Sequence, residues 1–389
     1  MLRFIGNPCR TCCGEESSSQ SPESRSSSNW INPSTVCNLW HFQDNAPTPD
    51  LLWCRRFGLR VNAVTTDSDN FIYPLDNYSA SRGKYDEAGN LIWPNVTGSP
   101  SGGVLARNDA QLTGNSFVSV GQRDGFSIEK FDLDGNFLWS SPLDPLYPPT
   151  GGDRGAAVKV RTNGNVHVAG SRTIGGITGA VFTILDDAGA LIARDSYSAG
   201  QQVTFSDVDV NEATGLSAVG FVGGYWYGSY VYLYDTSATL IKLAYVPGNT
   251  GGAVYVKFDT SGGLYVASHK SVSYHADVLD AVVAAEWTVV IPGNGFITDL
   301  AVDENDNVFV TASLGRFLKY YPDGTLAWHG WWHNPLGYNV NLFAVDTSPS
   351  VGVPEESSLS SSSNSSPLGT TGLITVGSSL AMVSHLTWF

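Results

Sequence analysis

The sequence predicts an all-β fold, a seven-bladed β-propeller, and three observations support this prediction. The composition is rich in glycine and aromatic residues and only 15% charged, which favours short strands and tight turns over helices. Two short units alternate along the chain, and each occurs seven times. Second strands recur every 43 to 50 residues, a period that holds four short strands and is typical of propeller blades.

The first unit is a hairpin that ends in tryptophan in its clearest copies, such as “KFDLDGNFLW” and “YYPDGTLAW”. Its central Asp-Gly predicts a tight two-residue turn with positive φ angles. The terminal tryptophans are large and slightly polar, which suits the outer margin of a blade. The seven copies end at, or surround, Trp53, Trp93, Trp139, Ala193, Lys242, Trp287 and Trp328.

The same letters, “FDLDGNFLW”, are also how many calcium loops begin. An EF-hand loop needs a third oxygen ligand before the glycine and a glutamate at its twelfth position. Counted from Asp132, that position is Leu143. We therefore interpret Asp132 and Asp134 as turn residues and predict no metal site here.

The second unit is an apolar strand, a polar turn and a short alternating strand, as in “AAVKVRTNGNVHVAG”. The small residues of “NVHVAG” suit a strand that is buried on both faces. Because one such sheet cannot bury both of its faces alone, radial stacking around an axis is expected. The second strands are predicted to begin near Asn70, Ser116, Asn165, Gly215, Gly263, Asn307 and Ser350.

The Asp-x-Asp-Gly-Asn hairpin that ends in tryptophan, with its Asp-x-x-x-Asn partner unit, resembles the quinoprotein-like and NHL- or YVTN-like propeller repeats. The resemblance covers about residues 38 to 350 and implies the propeller fold. It implies no particular activity, because that superfamily includes quinone-dependent dehydrogenases, outer-membrane assembly scaffolds, lyases and plain binding proteins.

The repeats divide the chain into an N-terminal arm (1–36), a propeller (37–355) and a Ser-rich loop with a C-terminal strand pair (356–389). The chain begins with a third-and-fourth strand pair, and its last clear unit is a first-and-second pair. We therefore expect the N-terminal pair, which ends at Trp53, to lie beside the strand near Val351 and close the ring. The alternative is that the C-terminal strands complete the last blade themselves.

The arm carries Cys9, Cys12 and Cys13 ahead of a Ser-rich linker. A Cys-x-x-Cys pair can bind zinc or do redox chemistry, but neither a second zinc-ligand pair nor a βαβ context is found in the sequence. We interpret these as structural or incidental thiols; an inter-chain disulfide is the alternative, since the total of five is odd. The layout predicts that the arm anchors the propeller to other protein subunits, and the alternative is a disordered tail with no partner.

The net charge of −15 argues against nucleic acid as a partner, since phosphate neutralisation requires excess basic residues. No apolar run reaches 18 residues, so no membrane span is predicted. The start of the chain lacks the apolar stretch of a secretory signal, so we expect synthesis in the cytoplasm without export by the usual route.

Strands alternate in direction within a blade, so turns between strands one and two, and three and four, share one face of the disc. We call this the first face. The second face carries the other connections, and four of these are long and aromatic. Aromatic rings on loops are typical of sugar or peptide recognition, although they also pack against neighbouring blades, as we expect for Trp328. The ligand-binding candidates are Tyr225, Trp226, Tyr227, Trp331, Trp332 and His333, and the same loops hold Tyr147, Tyr274, His275 and His329.

No nucleophile elbow, Walker loop or dinucleotide fingerprint occurs, and His329 and His333 lack an identifiable third metal ligand. We therefore predict no catalytic residues, no metal and no cofactor. The sequence favours a non-enzymatic scaffold or binding module, such as a phage tail or neck protein that works outside the cell. The alternative is a propeller enzyme of the quinoprotein or lyase type with its site at the central channel.

Overall fold

A computed structural model of the protein describes sixteen segments of the chain. They are 40–42, 61–66, 71–76, 84–86, 90–92, 106–122, 128–148, 152–198, 202–223, 229–246, 252–279, 285–293, 295–313, 316–332, 340–348 and 379–386. Their regular structure consists of 25 β-strands, which confirms the all-β prediction for this part of the chain. Within these segments, no helix is long and apolar enough to cross a membrane.

The described strands form six hydrogen-bonded antiparallel sheets. We divide the eight-stranded one into sheets B and C, which the single residue pair Gln122 with Arg154 joins, and label the seven resulting groups A to G in chain order. Sheet A contains β2 (Val61–Thr66) and β3 (Ile72–Asp76). Sheet B contains β4 (Ala106–Thr113), β5 (Ser116–Gln122), β6 (Ile128–Asp132) and β7 (Phe137–Ser141). Sheet C contains β8 (Arg154–Val160), β9 (Val166–Ile174), β10 (Ile177–Leu185) and β11 (Leu191–Tyr197). Sheet D contains β12 (Thr204–Val210), β13 (Ser217–Val222), β14 (Ser229–Tyr234) and β15 (Leu240–Val246). Sheet E contains β16 (Val254–Phe258), β17 (Leu264–Ser268), β18 (Ser271–His275) and β19 (Trp287–Val290). Sheet F contains β20 (Ile297–Val302), β21 (Val308–Ala312), β22 (Arg316–Tyr320) and β23 (Leu326–Trp332), with β1 (Trp40–Phe42) at its edge; sheet G contains β24 (Val340–Ser348) and β25 (Ser379–Leu386).

The sheets stack around an axis. Their first strands contact one another in the cyclic order β2, β4, β8, β12, β16, β20, β24 and back to β2. The second strands of sheets A to F begin within two residues of the predicted positions. Sheets A and G have only two described strands each, so the count of seven blades stays a prediction.

The second strands form the core, as the alternating small residues predicted. Every residue of β17 and β21 is buried, whereas the outer strands β15 and β19 alternate between exposed and half-buried residues. The apolar clusters lie between adjacent sheets, because each sheet covers one face of the next.

The described pairings differ from the expected ring closure. The N-terminal strand β1 pairs antiparallel with β23, the outer strand of sheet F. The described partner of β24 is β25, so a C-terminal strand lies beside β24, as the alternative expects. Residues 43–60 and 349–378, which include the end of the N-terminal pair and the strand near Val351, lie outside the described residues, so closure by either end stays a prediction.

The hairpin at “FDLDGNFLW” is a longer turn than predicted. Gly135 alone has a positive φ, and its N–H donates to the Asp132 carbonyl (3.0 Å), so a four-residue turn ends in a left-handed glycine. The Asp132 carboxylate accepts bonds from the N–H groups of Asp134 (3.0 Å) and Asn136 (2.7 Å) and from the Asn136 side chain (2.8 Å). These bonds hold the pKa of Asp132 below its usual value although burial opposes them, and they give this aspartate a structural role.

Two of the tryptophans that end first-unit hairpins contact the next sheet. Trp139 Nε1 donates to the carbonyl of Asp187 in the β10–β11 turn (3.0 Å), and a Cβ at Gly189 would lie 2.9 Å from the Trp139 ring. Trp287 Nε1 likewise donates to the Pro322 carbonyl of sheet F (2.9 Å). The outer margin predicted for these tryptophans is thus a junction between neighbouring sheets. Trp328 is buried, with its ring 4.9 Å from Phe317 of its own sheet, and its expected packing against a neighbouring blade stays a prediction.

Candidate binding face

The connection from sheet B to sheet C lies on the second face and presents Tyr147, as predicted. The Tyr147 ring is 49% exposed, and the guanidinium carbons of Arg172 and Arg194 lie 4.9 and 5.3 Å from its centroid. Such cation–π contacts restrict the orientation of the ring while leaving one side open to solvent.

Buried charges hold this connection in place. Asp144 is 1% exposed, and its Oδ2 lies 2.8 Å from Arg194 Nη2 and 3.3 Å from Arg172 Nη1. Arg172 also donates through Nη2 to the Pro148 carbonyl (2.7 Å) and lies 3.6 Å from the buried Asp153. Two carboxylates balance two guanidinium groups, so the charges here position the loop and leave no excess for an ionic ligand.

A second group of aromatic residues lies where sheets C and D meet the second face. Tyr197 ends β11 and packs edge-on against Phe221 (5.6 Å), and Tyr245 packs edge-on against Tyr230 (5.5 Å). Phe221 and Tyr230 are 6.0 Å apart, so the four rings are continuous. Tyr197 is 38% and Tyr245 58% exposed, while Phe221 is buried. We call these four residues the aromatic rim.

The sequence predictions did not include the aromatic rim, because its members lie in strands and the predicted binding candidates were all aromatic residues of loops. Alternation could have found one of them: Tyr230 shares one face of β14 with Tyr232 and Tyr234, at every second position. The predicted candidates Tyr225, Trp226 and Tyr227 lie outside the described residues, between β13 and β14 in the sequence. Phe221 and Tyr230 stand on either side of that segment in the sequence.

Trp331 and Trp332 do not lie in a loop as expected. Both belong to β23, where Trp332 is opposite Trp40 and Trp331 is opposite His41 in the added strand β1. The neighbouring Gly330 and Pro335 favoured a loop, but the chain stays extended because strands on both sides supply hydrogen-bond partners. Whether these tryptophans bind a ligand stays a prediction. His333 and the arm residues Cys9, Cys12 and Cys13 lie outside the described residues.

Tyr274 and His275 are also strand residues, in β18, because the connection from β17 is only a two-residue turn with His269 at φ 51°. Tyr274 donates to Asp259 Oδ2 (2.7 Å), and its ring stacks on Trp287 at 6.1 Å. It therefore packs within its own sheet. His329 lies in β23, and burial lowers its pKa.

Carboxylates around the axis link the first strands of neighbouring sheets. Asp109 Oδ2 accepts the Val158 N–H (2.9 Å), and Asp207 Oδ2 accepts the Val256 N–H (2.8 Å). The first strands are edge strands whose outward N–H groups have no neighbouring strand, so these side chains act as caps. A sequence signal existed, since Asp109, Asp207 and Asp299 each follow a β-bulge in their first strands, in “RNDAQ”, “FSDVD” and “ITDLA”.

Lysines balance part of this axial charge. Lys159 Nζ lies 2.9 Å from Asp209 Oδ1, and Lys257 Nζ lies 3.5 Å from Asp207 Oδ2. Burial raises the pKa of Asp109 to about 6 and also raises that of Asp207. Burial opposes ionisation of Asp209 as well, but Lys159 and Lys257 outweigh it and lower the Asp209 pKa. Perturbed carboxyls can mark an active site; here burial is the cause of the raised pKa values, and the hydrogen bonds that Asp109 and Asp207 accept from the next sheet give both carboxyls a structural role.

One further titratable group is buried between sheets C and D. His167 is 1% exposed, and its Nδ1 lies 3.0 Å from Ser217 Oγ. Burial lowers the pKa of His167 to about 3, so the ring is neutral at physiological pH. Across the described segments, no group of three or more His, Cys, Asp or Glu residues is arranged to hold a metal ion.

Comparison with solved structures identifies the architecture. A streptogramin B lyase aligns with 79% of this chain and 91% of its own at 10% identity, with a TM-score of 0.56. Raptor from Chaetomium thermophilum aligns with 75% of this chain at 14% identity and the same TM-score, over 26% of its own length. Both are propeller structures. The fold is a β-propeller.

The comparisons go no further than the fold. At such identities a structural likeness carries no activity from one propeller to another. A protein of unknown function from Bacteroides caccae aligns with 68% of this chain and 91% of its own at 12% identity, with a TM-score of 0.44. No protein-family model and no curated sequence matches the chain.

Proposed function

We propose that the protein is a non-enzymatic propeller that binds a glycan or a polypeptide on its second face. The observation that carries the proposal is the aromatic rim. Tyr197 and Tyr245 expose large parts of their rings while Phe221 and Tyr230 hold them from below. Rings supported in this way lose little conformational entropy when a ligand covers them, and they offer flat apolar area with a polar edge.

We expect the predicted candidates to extend this surface. Trp226 and its two tyrosine neighbours lie in the connection that leads from Phe221 to Tyr230. Tyr147, on the adjacent inter-sheet connection, presents a further ring above two guanidinium groups. A surface with several rings and few unpaired charges fits a neutral, extended ligand such as an oligosaccharide or an apolar peptide.

A direct test is a glycan array followed by titration calorimetry with the strongest ligand. Tyr245→Ala and Trp226→Ala are expected to weaken binding about tenfold or more each, since aromatic anchors dominate such interfaces. Tyr321→Ala is the matched control, because Tyr321 is 45% exposed but follows β22 in a turn of the first face. Equal losses in all three variants, or no array signal together with no captured polypeptide, would count against the second face as the binding surface.

The N-terminal arm supports a role within a larger assembly, and we place that assembly outside the cell, as in a phage tail or neck. The support is the layout of the sequence: a short cysteine-bearing segment, a Ser-rich linker and a rigid propeller. Removal of residues 1–36 is expected to leave a folded propeller that no longer attaches to its assembly. Electron microscopy and native mass measurement of particles carrying either chain decide this. Attachment that survives the deletion would remove the arm from the proposal.

The enzymatic alternative places a site at the axis. Two described carboxylates near the axis, those of Asp109 and Asp207, already accept backbone hydrogen bonds from the next sheet. The absorbance spectrum of the purified protein and a metal assay separate the two proposals. A quinone-like absorption band or a stoichiometric metal ion would favour the enzyme.

A further inference from the structure

The outer edge of sheet D differs from the other described outer edges. Strand β15 has no described neighbour beyond β14, and it exposes four large apolar side chains. Their exposed fractions are 42% for Leu240, 51% for Ile241, 48% for Leu243 and 58% for Tyr245. Strand β7, the equivalent edge of sheet B, exposes only one such residue, Leu138. An uncovered apolar edge strand is a template for pairing with another strand.

Two features that usually protect such an edge do not protect β15. A lysine on an edge strand normally keeps other strands away. Lys242 is the only charged residue of β15, and its ammonium donates to the Val278 carbonyl of the same chain (3.2 Å). Sheet F shows the other solution, since β1 covers the edge of β23 by antiparallel pairing. This chain therefore already uses strand addition at one outer edge.

We propose that β15 pairs with β15 of a second copy of the chain, which makes a two-fold symmetric dimer. A two-fold axis perpendicular to the sheet sets the two strands antiparallel, which is the orientation that identical edges need for pairing. The register shift near Leu240 interrupts regular pairing with β14, so the regular part of β15 is Lys242–Val246. The centre of that part is Ala244.

Pairing about Ala244 is self-complementary. It places Leu243 opposite Tyr245 of the second copy, so exposed apolar side chains cover one another on one face of the joined sheet. Tyr245 then lies at the contact, and Tyr197 is the exposed ring of the aromatic rim that the dimer leaves to a ligand. On the other face, Lys242 is opposite Val246, and no two like charges face each other directly. Sheets D of the two copies would form one continuous eight-stranded sheet, as sheets B and C already do within the chain.

The overall charge modulates this association. Each copy carries a net charge of −15, so the two copies repel at long range, while β15 itself has no acidic residue. Added salt screens the repulsion and leaves the apolar contact intact. The dimer is therefore expected to become tighter, not weaker, as the salt concentration rises.

Sedimentation equilibrium of the full chain tests the proposal. The wild-type chain is expected to dimerise, and Ile241→Lys and Leu243→Lys are each expected to raise the dimer dissociation constant about tenfold or more, since each places two new charges in the contact. Leu138→Lys is the matched control: Leu138 holds the position of the hairpin repeat that Ile241 holds in sheet D, and it is 50% exposed. It is expected to leave the constant unchanged. Because all three positions are exposed, circular dichroism should show folded chains throughout.

Two results would overturn the proposal. One is a wild-type chain that stays monomeric up to about 100 μM, a concentration at which weak specific contacts are populated. The other is a dimer that Ile241→Lys and Leu243→Lys leave intact, since the contact would then lie elsewhere. The register is checked by Ala244→Cys, which is expected to give a disulfide between residues 244 of two copies, identified by peptide mass, whereas Lys242→Cys gives none.

Discussion

Sheets B and C, and sheets C and D, are joined at equivalent strands by different chemistry. Between B and C, Trp139 bonds to the next turn at the outside and Asp109 bonds to the next first strand at the axis. Between C and D the residues at the matching positions are Ala193 and Ala157, whose side chains form no hydrogen bonds. The C–D junction contains stacked rings, with those of Phe182 and Tyr234 4.7 Å apart, and its polar contacts are different ones, such as Lys159 with Asp209 (2.9 Å).

The difference shows that a repeated backbone does not require a repeated contact. The B–C junction relies on directional hydrogen bonds, and each of these can be removed by one substitution. The C–D junction adds packed aromatic rings to its own polar contacts, and burial of rings is less specific in geometry than a hydrogen bond. The aromatic rim continues the C–D rings outward to the second face.

The largest effect is expected from the C–D rings. Phe205 is fully buried and lies 5.3 Å from Tyr232, edge to face. Phe205→Ala is expected to lower the free energy of unfolding by about 3–5 kcal/mol, the usual cost of an aromatic cavity. Urea denaturation measures this. Leu138→Ala, at a half-exposed position of β7, should change it by less than about 0.5 kcal/mol. A similar cost at both positions would remove the distinction between core and edge.

The C–D junction is also expected to be sensitive to acid. The pKa of His167 is lowered from its ordinary 6.5 to about 3, so its contribution to stability is present above pH 6.5 and is lost as the pH falls towards 3. Between pH 6.5 and 4 the loss is about 3 kcal/mol at 1.4 kcal/mol per pH unit. Urea midpoints at pH 7, 5.5 and 4 test this. His167→Gln should flatten the dependence, and an equal slope in this variant would assign the acid sensitivity to other groups.

At the B–C junction, Gly189→Ala should cost about 2 kcal/mol or more. Gly189 has a φ of 83°, and a Cβ there would also meet the Trp139 ring at 2.9 Å. Gly175 provides the control, since its φ is 59° but nothing lies within 4 Å of a Cβ. Gly175→Ala should cost only the backbone strain, about 1 kcal/mol. Thermal melting of the two variants compares these costs, and equal values would mean that the tryptophan contact adds nothing.

A further effect, on the pH dependence of stability, concerns the axial cap. The Asp109 pKa is raised from 3.8 to about 6, so protonation favours the folded state; this contribution is complete below pH 3.8 and is lost as the pH rises through 6. Asp109→Asn removes the titration but keeps an oxygen acceptor for the Val158 N–H. The variant should therefore gain less stability than the wild type on acidification from pH 7 to 4, which urea midpoints would show. If the variant gained more stability than the wild type, the contribution of Asp109 would have the opposite sign to the one that we assign.

The fold could be predicted because its signals are local and repeated. Each turn carries its own aspartate. Where one copy of the unit has diverged, as near Trp287, the other copies still show the pattern. The first-face turn was predicted to be tighter than it is, because an Asp-Gly pair is compatible with several turn types. The hydrogen bonds that Asn136 donates to the Asp132 carboxylate decide among these types.

The site could be predicted only in part. The rings of the 225–227 segment and Tyr147 are visible in the sequence as loop aromatics, whereas Tyr197 and Tyr245 look like ordinary strand residues. Whether the side chains of these two strand residues are exposed depends on which sheets pack beside them. That is decided only when the sheets assemble into the ring. For the same reason the placement of Trp332 beside Trp40 could not be read from either segment alone.

The contacts that Trp139 and Asp109 make with the next sheet both point forward along the chain, and this has a consequence for synthesis. Trp139 needs a carbonyl that lies 48 residues later, and Asp109 needs an N–H that lies 49 residues later. At ordinary translation rates that interval takes roughly 2 to 10 seconds. Sheet B therefore leaves the ribosome with Trp139 and Asp109 unmatched, and sheet C supplies both partners as it emerges.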